Sequence, residues 1–418
     1  MSSFRLSPRA MLCTSFTVLL ASCGGGSGAD AVQADTAADA QTAQVQLDAR
    51  NHHHSGGTTA PTPTPTPAPA PAPAPTSPTT YNLYVSTTGS DSNAGTQSAP
   101  FKTILKASQV AKPDTTVHVA PGTYTGGFQT TVSGTSSGRI RFVSDTKWGA
   151  KITGSSSGEN LWDVRGNYID VDGFEFDGTG ASVITIGIYL GGSYGVAKNN
   201  LVHDIATTIA CSGHGAAGIE TDNYYGGVHN DARNNIVHHV GSNGCGYYQG
   251  IYLSTSGIAD NNLVYAISNT GITSWHNATN LTITNNTIFG NGQGITVGGG
   301  GYYNGFSGPN DYSIVANNIV YDNAGTGIDE EGATGTHNKY VNNLSYGNGC
   351  NFRLRNGLTH TGTITANPQF VNYIKTGNGD YHLKSSSPAV ATGAKTYLPT
   401  IDLQGHTRLQ ADMGAYKY

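Results

Sequence analysis

The chain repeats itself in units too short to bury a core alone. The pair Asn-Asn precedes a mostly apolar segment six times, at Asn199-Asn200, Asn234-Asn235, Asn261-Asn262, Asn285-Asn286, Asn317-Asn318 and Asn342-Asn343. Successive pairs stand 35, 27, 24, 32 and 25 residues apart. Between them runs a second marker, Gly-Ile, at Gly187, Gly218, Gly250, Gly271, Gly294 and Gly327, with Asn351-Phe352 as a degenerate last copy. Short β-branched runs separated by Gly and Asn turns can hide an apolar face only by stacking on the next copy. The expected fold is all-β, a parallel β-helix. Coils about 4.8 Å apart put equivalent residues in ladders, and the Asn pairs read as a structural turn ladder with amides bonding coil to coil.

Composition agrees. Charged residues are 11% of the chain, too few for helical bundles, and Gly contributes 57 residues of 418. The formal net charge is only -5, with no long basic run. A nucleic-acid partner is therefore not expected.

Alternate strand residues face opposite sides, so the Gly-Ile alignment can be read in columns. The residue after Gly faces inward. Two places after Gly the outward residues are Tyr189, Glu220, Tyr252, Thr273, Thr296, Asp329 and Arg353. Four places after Gly stand Gly191, Asp222, Ser254, Trp275, Gly298, Glu331 and Arg355, with His276 next to Trp275. Carboxylates, aromatics and cations are thus concentrated on one elongated face, which suits an extended polysaccharide. Tyr189, Tyr252 and Trp275 are expected to contact sugar. The competing reading is structural: Asp329 and Glu331 in cross-coil salt bridges with Arg353 and Arg355, and Trp275 packed under a loop. Glu330, between two outward acids, is expected to point inward or to mark a bend. The Gly- and Tyr-rich insertion from Gly298 to Tyr312 is expected to overhang the same sheet.

Cys211 lies twelve residues after Asn199 and Cys245 eleven after Asn234. Equivalent loops on adjacent coils, in an exported protein, predict a disulfide between them. Cys350 is left over and is expected to be buried.

The opening YVSTTGSDSNAGTQSAPFKTILKASQVAKPDTTVHVAPGTYTG, residues 84 to 126, resembles that of right-handed parallel β-helix proteins, particularly the pectate lyase-like group of polysaccharide lyase family 9. NPQFVN at 367, GDYHLKSSSPAV at 379 and DLQGHTRLQADMGAY at 402 resemble the closing segment of many secreted β-helix proteins. The resemblance implies a right-handed, single-stranded β-helix over 81–418, with a short helix near Phe101 to Ala111 capping its N-terminal end. It also implies β-elimination on an acidic glycan, assisted by calcium bound to several carboxylates. Asp329, Glu331, Glu220 and Asp222 are the candidate metal ligands. In that family a Lys serves as base in coils of the type DGFxxK beside DDGWD; here no Lys stands four places after Gly, and Gly327-Ile328-Asp329 matches only the end of the second pattern. Arg353 or Arg355 is therefore the candidate base or carboxylate clamp, with His276 beside them as a third catalytic candidate. A glycoside hydrolase using Asp329 and Glu331, an epimerase, or a non-catalytic glycan-binding adhesin are the alternatives.

The N-terminus carries Arg5 and Arg9, an apolar stretch from Ala10 to Ala21, then Ser22-Cys23. This is a signal peptide over 1–22, and Leu20-Ala21-Ser22-Cys23 resembles the lipobox of bacterial lipoproteins, which implies lipidation at Cys23. Residues 23–80 read as a disordered Pro/Thr/Ala-rich tether that holds the domain off the membrane. His52, His53 and His54 fall within it and are taken as low-complexity residues. Gly24 after the Cys implies the outer membrane or cell surface. The expected protein is a surface-tethered monomer, with polysaccharide as its partner and the membrane reached only through the lipid.

Overall fold

The computed structural model describes residues 80–154, 158–211, 215–242 and 245–418. The signal peptide, Cys23 and nearly all of the tether lie outside them. Three stacks of parallel strands, one of eleven strands and two of nine, make up most of the described chain, with one antiparallel pair, Phe370–Asn372 and Asp380–Leu383, beyond them. Nine coils contribute one strand to each stack, while Tyr81–Val85 and His360–Thr361 extend the eleven-stranded one alone, so the solenoid is the right-handed parallel β-helix expected.

The Gly-Ile strands form one nine-stranded sheet, beginning with Phe128–Thr130, Asn160–Val164 and Ile186–Leu190, running through Ala216–Thr221, Tyr248–Leu253 and Thr270–Ser274, and ending with Gln293–Gly299, Thr326–Gly332 and Cys350–Arg353. Its inward column is Trp162, Ile188, Ile219, Ile251, Ile272, Ile295 and Ile328, each fully buried. Burying such a side chain contributes about 1.5–3 kcal/mol. The Gly before each Ile is needed for close approach. A Cβ on Gly218 would lie 2.4 Å from Val237 Cγ1 and 2.8 Å from the Gly250 carbonyl, and one on Gly294 would lie 2.3 Å from the Gly327 carbonyl.

The Asn pairs divide their labour. The first Asn takes the left-handed backbone of the corner, from Asn199 at φ 57° to Asn342 at φ 48°, a conformation Asn tolerates better than other non-Gly residues. The second builds the ladder. Asn200, Asn235, Asn262, Asn286, Asn318 and Asn343 are fully buried, and the side-chain amide of each of the first five donates to the side-chain oxygen of the next at 2.9–3.2 Å. A second ladder, Asn291 to Asn323 to Asn348, runs at 3.0 and 2.9 Å along another corner.

The capping helix spans Ile104–Val110, with Thr103 as N-cap accepting from the Lys106 amide. It is shorter than the stretch expected. The chain's last fifty residues pack on the second nine-stranded sheet, where Tyr265 and Phe289 stack at 5.2 Å and Phe289 meets Tyr381 at 4.4 Å. Arg408 fastens this segment, donating to Asn261 Oδ1 at 2.8 Å and to the Gly414 carbonyl at 2.7 Å.

Cys211 and Cys245 are joined in a disulfide, with Cα atoms 5.3 Å apart and a sequence separation of 34. A closed loop of that length stabilises by about 3–4 kcal/mol through the unfolded state. Replacing both by Ser should lower the urea midpoint and raise the slope, since the unlinked unfolded chain exposes more surface; an unmoved midpoint would mean that coil stacking already fixes the loop. Cys350 is exposed, not buried. It opens the last strand of its sheet, and no further coil stacks on it.

Candidate functional site

Strand register fixes the outward ladder of the Gly-Ile sheet. Gln129 pairs with Asp163, Asp163 with Tyr189, Tyr189 with Glu220, and Glu220 with Tyr252. The ladder continues through Thr273, Thr296 and Asp329 to Arg353.

Its chemistry concentrates around Glu220. The carboxyl of Glu220 is pushed up to about 8, first by burial and then by the neighbouring charge of Asp222. Asp222 is buried and accepts a hydrogen bond from the Tyr189 hydroxyl on one oxygen and from the Asn223 amide, at 2.8 Å, on the other. Burial and these acids raise the phenols of Tyr189 and Tyr252 above their usual range. In the coil before them, Arg165 is ion-paired with Asp163, which also accepts from Gln129 at 2.7 Å. The Arg165 guanidinium stands 3.4 Å from the ring centre of Tyr225 and 4.8 Å from that of Tyr189. A cleft of about 610 Å³ opens on this side, lined by Gln129, Thr131, Arg165, Asn167, Gly191 and Tyr225 among others.

On the other side stands His276. Its Nδ1 lies 2.7 Å from the Gly301 carbonyl, which can only accept, so that nitrogen carries the proton. In the neutral ring Nε2 therefore accepts from the Tyr303 hydroxyl, 2.7 Å away. Burial and the charges of Asp222 and Glu220 push the Tyr303 phenol up to about 12. His276 meets Tyr252 edge to face at 5.9 Å. The insertion thus overhangs the sheet and brings Tyr303 to the site. Trp275 is half-buried and lies across a glycine floor; a Cβ would come within 2.4 Å of the indole at Gly298 and 2.7 Å at Gly332.

Asp329 and Glu331 do not join this group. They stand four strands along the sheet from Glu220 and Asp222, about 19 Å at the strand spacing. Arg353 donates to Asp329 Oδ1 at 2.8 Å and to Glu331 Oε1 at 2.8 Å, so its guanidinium is engaged by both acids. The Arg355 amide donates at 2.8 Å to Glu330, and its Nη1 to the Gly332 carbonyl at 3.3 Å. Glu330 points inward and is fully buried, accepting also from Tyr340 at 2.8 Å and Asn338 at 3.0 Å.

Two acidic groupings deserve comparison as cation sites. On the second nine-stranded sheet, Glu175, Asp177 and His203 offer ligand atoms within 4.8 Å of one another, but Lys151 Nζ already sits 2.6 Å from Glu175 and 3.1 Å from Asp177. At Glu220 and Asp222 no protein cation intervenes among the described contacts. The next residue up the Asp222 column, Ser254, has a buried hydroxyl without a hydrogen-bond partner among the described residues. Two crowded carboxyls beside an unused hydroxyl fit a hard cation that takes oxygen ligands.

Asp163, Arg165, Tyr225 and Tyr303 were not among the sequence candidates. Asp163 belongs to a coil in which Leu161 stands where the later coils have Gly, so the marker fails there although the in-out alternation of Leu161-Trp162-Asp163 persists. Tyr225 and Tyr303 come from loops, which carry no period.

The family model described as "Pel9A-like, right handed beta helix region" matches residues 83–367, more than half of the chain. Among curated proteins, the uncharacterized protein YwoF of Bacillus subtilis (strain 168) is 32% identical over 137 residues, 30% of this chain and 29% of that one. The match thus spans under a third of that relative. Among solved structures, pectate lyase Pel9A superposes with a TM-score of 0.58 at 17% identity, covering 81% of this chain and 97% of that chain. The mannuronan C-5 epimerase AlgE4 A-module of Azotobacter vinelandii gives a TM-score of 0.43 at 17% identity, over 59% and 66% of the two chains. At these identities the likeness is one of fold.

Proposed function

The chain belongs to the Pel9A-like right-handed β-helix family, and on that premise we propose that it is a surface-tethered enzyme that cleaves an acidic, uronate-containing polysaccharide by β-elimination. The observation that carries this reading is the constellation at Glu220. Two crowded carboxyls, an imidazole whose Nδ1 carries a proton and three phenols converge around Glu220 on successive rungs of the outward face.

Elimination requires that the uronate carboxylate be neutralised, that the proton α to it be removed, and that the leaving oxygen be protonated. The C5 proton passes to the Tyr303 oxygen as Tyr303 gives its own proton to His276 Nε2. The electron pair of the C5–H bond forms the C4=C5 double bond, and the C4–O4 bond breaks with its pair on O4. That oxygen takes the proton of Tyr252, whose phenol stays protonated because burial and Glu220 hold its pKa high. Arg165 supplies positive charge beside the site, in the cover it forms with Tyr225. Calcium, if bound, would be held by Glu220, Asp222 and Ser254, and would neutralise the uronate carboxylate. Arg353 and Arg355 have no role in this scheme: the Arg353 guanidinium is tied to Asp329 and Glu331, and that of Arg355 reaches the Gly332 carbonyl, both on strands well removed from Glu220.

The test is ultraviolet absorbance of the unsaturated product when the protein is incubated with polygalacturonate or alginate, with calcium and with chelator. A rise on one polymer is expected. Calcium should also raise the melting temperature of the wild type and leave that of Asp222→Asn unmoved, a readout independent of turnover. A second reading rests on the split between Glu220, which holds its proton, and Asp222, buried among donors: such a pair can serve a hydrolase as acid and base. New reducing ends without ultraviolet absorbance would select it.

A further inference from the structure

The outward ladder would form an open groove if its side chains were all accessible. They are not. Beyond Tyr252 the outward residues Thr273, Thr296 and Asp329 are 6%, 3% and 0% exposed. Trp275 lies beside that stretch, on Gly298 and Gly332, and Arg353 is seated on Asp329. Before Glu220, Asp163 and Tyr189 are 9% and 6% exposed, beneath Arg165 and Tyr225. Between these covers, Glu220 and Tyr252 keep partial exposure.

An arch reinforces the cover. Asn304 Nδ2 donates to the Asn223 carbonyl at 2.7 Å, the Tyr303 amide to Asn277 Oδ1 at 2.9 Å, and Asn277 Nδ2 to the Tyr303 carbonyl at 3.0 Å. Tyr224 and Tyr303 meet edge to face at 5.3 Å. Asn223 follows the strand Ala216–Thr221 and Asn304 follows Gln293–Gly299, three strands further along. The insertion therefore reaches back about 14 Å at the strand spacing. This takes it over the level of Tyr252 and ties it to the loop beside Glu220.

We infer that the site takes the end of a glycan chain and works exolytically, because Tyr225 and Arg165 close the ladder on one side of Glu220 while Trp275, His276 and Tyr303 close it on the other. This rests on the polysaccharide-cleaving reading above. An internal segment of a polymer would have to run on through both covers; a terminal residue needs only one way in.

Two measurements on the full chain test it. With polygalacturonate or alginate, whichever is turned over, the products should from the first time point be one or two short unsaturated oligosaccharides, with viscosity falling slowly for each new end formed. A broad ladder of oligosaccharides with early collapse of viscosity would overturn the inference. Calorimetric titration of the Glu220→Gln variant with size-fractionated polymer should saturate at one protein per chain whatever the length; a stoichiometry rising with length would overturn it without reference to turnover. That second readout separates the two failures, since a flat ultraviolet trace defeats elimination alone. Opening the cover by Trp275→Ala with Asn304→Ala, which leaves Tyr303 in place, should broaden the size range of the products, and Tyr225→Ala offers the same opening from the other side if that variant fails to fold. Unchanged product sizes in both would count against the closed pocket.

Discussion

Glu220→Gln should yield a protein that is slower than the wild type, through loss of a would-be calcium ligand, yet more stable above neutral pH. Two carboxyls two residues apart on one strand share a poorly hydrated site, and Glu220 responds by holding its proton up to about 8. An unfolded chain releases the same proton near the ordinary Glu value of about 4.3. Between those two pH values the folded state binds a proton that the unfolded state lacks, so stability falls as pH rises through that window. Gln cannot titrate. The variant should therefore match the wild type near pH 4 and gain on it steadily up to about pH 8, reaching on the order of 2–4 kcal/mol. A melting series in chelator across that range reads the effect as a difference of several degrees. Calcium should shrink the difference, because a cation between Glu220 and Asp222 supplies the positive charge that the proton otherwise provides. A constant difference at all pH values, or a variant less stable at pH 8, would show that Glu220 is an ionised, paired structural residue and would remove it from the site.

Which parts of this site the sequence discloses follows from where periodicity holds. Glu220, Asp222, Tyr189 and Tyr252 sit at fixed offsets from a Gly that the close approach of neighbouring coils makes obligatory, so their columns can be read directly. The same offsets find Asp329 and Glu331, but an offset says which face a residue occupies and not which rung. Grouping all four acids as one cation site overlooks the strands that separate them. Arg353, in the same column as Asp329, engages that acid and Glu331. Glu330 follows the alternation inward, and the reason it is tolerated there lies in Asn338, Tyr340 and the Arg355 amide, partners that no local pattern announces. Tyr225 and Tyr303 arrive on loops whose course depends on Asn223, Asn277 and Asn304 meeting across three strands. Long-range closure of that kind leaves no period, which is why the open face read from the columns became a covered pocket in the structure.

Asn262→Ala should cost the domain about 3–5 kcal/mol, more than most single truncations of a buried apolar residue to the next smaller one. Asn262 is fully buried in the middle of the main ladder. Its Oδ1 accepts from the Asn235 backbone amide at 2.9 Å and from the Asn235 side chain at 3.0 Å, while its Nδ2 donates to the Ala232 carbonyl at 2.8 Å and to Asn286 Oδ1 at 2.9 Å. Truncation leaves a backbone amide and a backbone carbonyl unpaired in a site that excludes water, and each such orphan costs about 1–3 kcal/mol. Asn262→Asp keeps the shape but turns donors into acceptors, so a charge would face Asn286 Oδ1 and the Ala232 carbonyl; it should be at least as damaging at neutral pH and partly recover in acid, when the carboxyl can donate once. Asn343→Ala, at the end of the same ladder, should cost less, because it donates to the Val315 carbonyl and accepts from Asn318 but has no ladder amide beyond it. Denaturant unfolding of the three variants checks the order. Equal costs along the ladder would mean that each amide acts alone, whereas a central maximum fits a chain of hydrogen bonds whose members polarise one another.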